Sequence, residues 1–272
     1  MGIRFGNSNP GNNLRVGTET VGGIAIGSTV AWKRSATPTA TLYMVGGDAD
    51  ALYTLNTTTG VATRVGSTRR FGVSETSPGG LAFHNGTLYM VGYDNIALYT
   101  LNTNNGRARR VGSVIAFGVS GERSPFGLAS HNGTLYMVGG ETEALYTLNT
   151  NTGRATRVGS ATAFGVNERS PTGLASHNGT LYMVGWSNDA LYTLNTNTGR
   201  ATRVGSATDF GVSENAPEGL SSHNGTLYMV GSGIVALYTL NTNNGRATRV
   251  GFATDFGVSE SSPEGLASVP ST

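Results

Sequence analysis

Thr180-Leu181-Tyr182-Met183-Val184-Gly185, then Trp186-Ser187-Asn188-Asp189, then Ala190-Leu191-Tyr192-Thr193-Leu194-Asn195: this run decides the fold. Its first part recurs from Thr41, Thr87, Thr134 and Thr226, and its last part from Ala51, Ala97, Ala144 and Ala236. The spacings are 46 or 47 residues. The middle part changes in every copy: Gly47-Asp48-Ala49-Asp50, Tyr93-Asp94-Asn95-Ile96, Gly140-Glu141-Thr142-Glu143 and Ser232-Gly233-Ile234-Val235. A constant frame therefore carries a varied loop.

A period in the mid-forties suits a propeller blade or a pair of helices. Helices need long 3.6-residue periodicity, whereas Gly and Pro break these units into short apolar runs. Each unit reads as four short strands. In the copy near Gly173, strand A is Leu174-Ala175-Ser176 and is followed by His177-Asn178-Gly179, with the Asn-Gly pair that marks tight hairpins. Strand B is Thr180 to Val184 and strand C is Ala190 to Leu194. Asn195-Thr196-Asn197-Thr198-Gly199 turns the chain into strand D, Arg200 to Val204. Strand B is apolar on both faces, as in a blade sandwiched between blades.

These residues predict one all-β domain over 1–272: a six-bladed β-propeller, with five blades the alternative. Five units show all four strands. Residues 2–17 match Ala190 to Gly205 without gaps, which predicts a sixth blade shared by 2–17 and 263–268. The first strand A is expected near Ser28 to Trp32.

Leu191-Tyr192-Thr193-Leu194-Asn195 with Thr198-Gly199, and its copies from Leu52, Leu98, Leu145 and Leu237, resembles the repeat of quinoprotein-like propellers. The resemblance implies the fold. Quinoprotein blades follow that turn with a strand ending in Trp; here it ends Arg203-Val204-Gly205, so quinone binding is not implied.

The net charge is +2, and most of the 18 basic residues recur at fixed repeat positions, so no nucleic-acid or membrane partner is expected. There is no cysteine and no signal-like or membrane-spanning apolar run, which leaves a cytoplasmic location as the default expectation. No cofactor or metal is expected. Near-identical blades supply like residues, which argues against an asymmetric active site and for a monomeric, non-enzymatic module.

In an up-and-down blade the A–B and C–D turns lie at one end, and the B–C loops and D–A links at the other. Variation concentrates at the second end. The expected function is recognition of a protein or glycan there, with a scaffold lacking a dedicated ligand as the alternative and metal binding or catalysis below both. The candidate contacts are Asp48, Asp50, Tyr93, Asp94, Asn95, Glu141, Glu143, Trp186, Asn188 and Asp189. Tyr93 and Trp186 stand out as aromatics outside the repeat consensus. Two regular series read as structural: His84, His131, His177 and His223 as turn residues, and Glu75, Glu122, Glu168, Glu214 and Glu260 as acceptors ordering the D–A links.

Overall fold

The computed structural model describes residues 40–271 except 68, 69, 114, 161–163 and 206–209, together with four short strands before residue 40. Two units are separate in their contacts, Met1–Thr39 and Ala40–Thr272. In the first, Arg15–Val16 pairs antiparallel with Glu19–Thr20, and Gly23–Ile26 with Thr29–Lys33.

The second unit is a β-propeller of five blades, each a four-stranded antiparallel sheet. Strands A to D of blade 2 are Pro78–His84, Thr87–Gly92, Ala97–Leu101 and Ala108–Arg110. Blade 3 has Pro125–His131, Thr134–Gly139, Ala144–Leu148 and Ala155–Arg157. Blade 4 has Pro171–His177, Thr180–Gly185, Ala190–Leu194 and Ala201–Arg203. Blade 5 has Pro217–His223, Thr226–Gly231, Ala236–Leu240 and Ala247–Arg249. Blade 1 takes strands B to D from Ala40–Gly46, Ala51–Leu55 and Ala62–Arg64, and its strand A from the other end of the chain, Pro263–Pro270.

The count is thus the alternative, five, and not six. Pro263–Pro270 closes the ring on Ala40–Gly46, with Leu266 opposite Met44 and Val269 opposite Thr41. That blade is then complete, so the partner of 263–268 is 40–46 and not 2–17. Residues 2–14 lie outside the described residues. The segment expected to hold the first strand A, Ser28 to Trp32, overlaps the strand Thr29–Lys33, which pairs instead with Gly23–Ile26. The five A strands pack side by side around the axis, and the cycle closes where Pro263–Pro270 meets Pro78–His84.

The core lies between blades. Leu135, Met137, Tyr146 and Leu148 of blade 3 pack against Tyr89, Val91 and Leu98 of blade 2, and Phe117 of the D–A link closes the layer. The other blades repeat this arrangement. Such layers explain why strand B is buried on both faces. The five link phenylalanines Phe71, Phe117, Phe164, Phe210 and Phe256 are at most 1% exposed. Each contributes roughly 1.5–3 kcal/mol by leaving water.

Candidate functional site

The varied face is rigidly built. Glu168 is fully buried; its Oε1 accepts the N–H groups of Ser170 and Ser187, both at 3.0 Å. Its Oε2 accepts the Asn188 N–H at 3.2 Å and the Tyr192 hydroxyl at 3.4 Å. One carboxylate thus ties the D–A link, the B–C loop and strand C together. Glu75 and Glu260 do the same in blades 2 and 1, and Glu122 and Glu214 ties link and loop in blades 3 and 5. The expected ordering role of these glutamates is what the structure shows. Burial first, then the adjacent Glu260 carboxylate, pushes the Tyr53 hydroxyl up to about 12. Each loop ends on a left-handed residue, Asp50, Ile96, Glu143, Asp189 or Val235, with φ between 45° and 55°.

This geometry divides the ten candidate contacts. Asp48 accepts the Ser261 N–H at 2.8 Å and the Ser261 hydroxyl. Asp94 accepts the Thr76 N–H and the Ser77 hydroxyl, both at 3.0 Å, and the Thr76 hydroxyl; these bonds, led by the Thr76 hydroxyl, hold its carboxyl below the usual range. Asn95 donates to the Ser74 carbonyl at 2.9 Å and Asn188 to the Asn167 carbonyl. Asp50 is buried, and Glu143 and Asp189 are half-buried at the left-handed position. Tyr93, Glu141 and Trp186 face solvent, Tyr93 at 45% and Trp186 at 58% exposure. Of the ten, only Glu141 and Trp186 line a common cavity, and it lies toward the axis.

The axial residues come from a column that sequence reasoning missed. Each strand A begins with a proline, and a bulge follows. In blade 3, Pro125 faces Gly139 and Leu128 faces Met137, so Phe126 and Gly127 together oppose Val138. The glycine is required: a Cβ on Gly127 would stand 2.6 Å from the Thr172 carbonyl oxygen and the Leu174 nitrogen of the next strand A. A bulge re-aims the side chain beside it. That residue is Gly79, Phe126, Thr172, Glu218 and Glu264 in blades 2, 3, 4, 5 and 1, and these five line the narrow top of the axial channel. The signal was a varied residue between a constant proline and a constant glycine.

Phe126, Thr172, Glu218 and Glu264 join Ser124, Glu141, Arg169, Ser170 and Trp186 around a cavity of about 350 Å³. Glu218 accepts the Ser232 hydroxyl and Glu264 the Ser262 hydroxyl, both at 3.1 Å. Burial first raises the Glu264 carboxyl above its ordinary value, and the Glu218 charge raises it further. Burial likewise raises Glu218, with Glu214 adding to the rise. Two carboxyls disfavoured as a pair of anions thus line one cavity with two aromatic side chains.

The opposite face differs from expectation. The four histidines are the buried last residues of strands A and not free turn residues. Each Nδ1 meets the serine hydroxyl of the next blade: His84 with Ser130, His131 with Ser176 and His177 with Ser222 at 2.8 Å, and His223 with Ser268 at 2.9 Å. Each Nε2 faces the Nδ2 of the following Asn at 3.0–3.1 Å. Burial lowers all four imidazoles. At the closing seam Val269 and Phe83 fill the two positions, both packed on one apolar cluster. Among the described residues no group of three or more His, Asp or Glu could hold a metal.

No protein family and no curated protein matches the sequence. Solved structures share its shape. A chain of a nidogen/laminin complex is 11% identical, with a TM-score of 0.55 over 85% of this chain and 98% of that one. A structural-genomics protein of unknown function from Bacteroides thetaiotaomicron is 16% identical, with a TM-score of 0.50 over 86% and 65%. Virginiamycin B lyase from Staphylococcus aureus is 14% identical, with a TM-score of 0.48 over 87% and 76%. At such identities the likeness concerns the fold alone, which hosts unrelated functions.

The expectation of a non-enzyme is corrected at this point. An enzyme stands among the similar structures, and at 14% identity and a TM-score of 0.48 that likeness argues neither for nor against activity. The premise of like residues fails within the chain, because the bulge column brings Phe126 and Thr172 to one mouth with the glutamates Glu218 and Glu264. Near-identical blades do supply an asymmetric centre; no activity follows from that alone.

Proposed function

We propose that this propeller recognises a peptide or glycan segment at the axial mouth of its loop-bearing face. The observation supporting this reading is the cavity where Phe126 of blade 3, Trp186 of blade 4, Glu218 of blade 5 and Glu264 of blade 1 meet. Aromatic and carboxylate side chains lining one cavity suit a flat apolar face next to a cationic donor, such as a Lys ammonium, an Arg guanidinium or an amino sugar. The glutamate-pinned loops keep the contacts preorganised, which lowers the entropy lost on binding. Tyr93, remote from this cavity's lining, becomes a secondary contact for longer ligands.

The test is a panel of basic and neutral peptides and of amino and neutral glycans, measured by calorimetry. Trp186→Ala should weaken the best ligand by roughly tenfold or more. Glu218→Gln with Glu264→Gln should erase the preference for cationic members. Affinity unchanged in both variants would overturn the proposal.

The carboxyl pair supports a second reading, an enzyme. Groups whose environments favour one protonated beside one ionised carboxyl are suited to general acid and base roles. Product formation from a bound panel member, lost in either Gln variant while binding persists, would favour it.

A further inference from the structure

We propose that the groove on the outer edge of blade 2, walled by Thr87, Thr100, Asn102, Asn105, Arg107 and Arg109, binds a doubly charged tetrahedral oxyanion, a phosphate or sulfate group. Two departures from the repeat meet there. Arg109 stands where the other blades carry Thr63, Thr156, Thr202 and Thr248. Arg70 precedes Phe71, where the other links carry Ala116, Ala163, Asp209 and Asp255 before their phenylalanines. Arg107 keeps the identity of Arg154, Arg200 and Arg246. The turn Arg70–Gly72 brings the link against this arginine: a Cβ on Gly72 would stand 3.3 Å from Arg107 Nη2. In the link to blade 5 the residue matching Arg70 is Asp209, so the link to blade 2 carries the reversed charge.

Local structure fixes the donors. The Asn102 N–H donates to the Arg107 carbonyl at 2.9 Å, so the extended chain continues through Arg107 into strand D. Alternation along it puts the exposed Arg107 and Arg109 on one face, about 7 Å apart. Among the described residues neither guanidinium has a hydrogen-bond or ion-pair partner, and no carboxylate lines the groove of about 430 Å³. An arginine keeps its proton and accepts nothing. The amides are fixed by backbone N–H groups, which can only donate. Asn102 Oδ1 accepts from Asn104 at 2.9 Å and Asn105 at 3.2 Å, and Asn105 Oδ1 accepts from Arg107 at 3.0 Å. Their Nδ2 groups are then further donors. Guanidinium forks meet tetrahedral oxyanions with paired bonds, and two such forks balance a dianion where a monoanion leaves one charge over. The groove is open to solvent, so the affinity should be modest and should fall with salt.

Carbon-detected NMR of the arginine side chains tests this on the whole protein, titrated at constant ionic strength and mildly alkaline pH with sulfate, inorganic phosphate or nitrate. Both dianions should shift the Arg107 and Arg109 signals along saturable curves, and nitrate should not. A preference for sulfate would assign a sulfate ester and a preference for phosphate a phosphate ester; either supports the proposal. Arg109→Thr installs the residue of the other four blades, so the melting midpoint should hold while the affinity falls by roughly tenfold. Arg154→Thr, at the place of Arg107 in blade 3, should leave the affinity unchanged. Nitrate acting as strongly as the dianions, or equal losses in the two variants, would show a diffuse surface field and overturn the proposal. An oligonucleotide held by arginines of several blades, with neither dianion bound at Arg107 and Arg109, would make this surface a nucleic-acid track and overturn it as well.

Discussion

Glu168, fully buried, and Glu264, half-buried, have opposite consequences for stability. Glu168 receives backbone N–H groups from two segments and a tyrosine hydroxyl. Glu168→Ala would leave those donors buried without an acceptor, and should cost about 3 kcal/mol or more in urea melts. A loss below about 1 kcal/mol would remove the pinning role. Glu264 accepts one serine hydroxyl and faces burial and Glu218. Its folded carboxyl titrates above the ordinary 4.5, so between those values the folded state holds more protons than the unfolded one. Stability from this group is present at low pH and lost as pH rises through the raised value. Glu264→Gln should therefore stabilise the protein most at alkaline pH and least near pH 4.5, as read from melting midpoints across pH. A pH-independent effect would show that burial does not burden this carboxyl.

Strands and their junctions follow the same logic with the sign reversed. Burial lowers the four histidines. Their folded state prefers the neutral ring, so their stabilisation is present above the ordinary 6.5 and is lost as pH falls through the window below it. The urea midpoint should drop on acidification from neutrality, and a variant with all four changed to Gln should show a shallower drop over that window. Gly127→Ala should destabilise sharply, because the new methyl meets backbone 2.6 Å away on the next strand. Much of this element structure was legible beforehand. Asn-Gly marked the A–B hairpins, where Asn178 and Gly179 do take positive φ, and Gly199 marked the C–D turn. The exposure of Trp186 was legible because it breaks the repeat. The strand-A bulge was not. It is a backbone event set by crowding at the axis, and it alone turns Phe126, Glu218 and Glu264 into neighbours. The histidine partners were hidden for a related reason: each serine lies 45 or 46 residues downstream, in the next blade.

At the scale of the molecule, closure decides the blade count. Counting strands C and D along the sequence yields six, because residues 2–17 carry that pattern. Counting strands A yields five: Pro78, Pro125, Pro171, Pro217 and Pro263 each begin one. A ring needs one inner strand per blade, so the A strands set the number, and Ala40–Gly46 must take its partner from Pro263–Pro270. That seam alone lacks a His–Ser pair and holds Val269 and Phe83 instead. Toward blade 2 the closing strand is thus held by apolar burial without a polar staple, while toward blade 5 its Ser268 meets His223. A protein ending at residue 262 would leave Ala40–Gly46 as a bare inner edge, and such edges recruit other strands. It should lose the sharp melting transition of the whole chain and self-associate in size-exclusion chromatography. A synthetic peptide of residues 263–272 added in excess should restore a monomeric, cooperatively melting ring, by binding only the closed state. A shortened chain that stays monomeric and melts as the full one does would mean that Pro263–Pro270 does not close the ring.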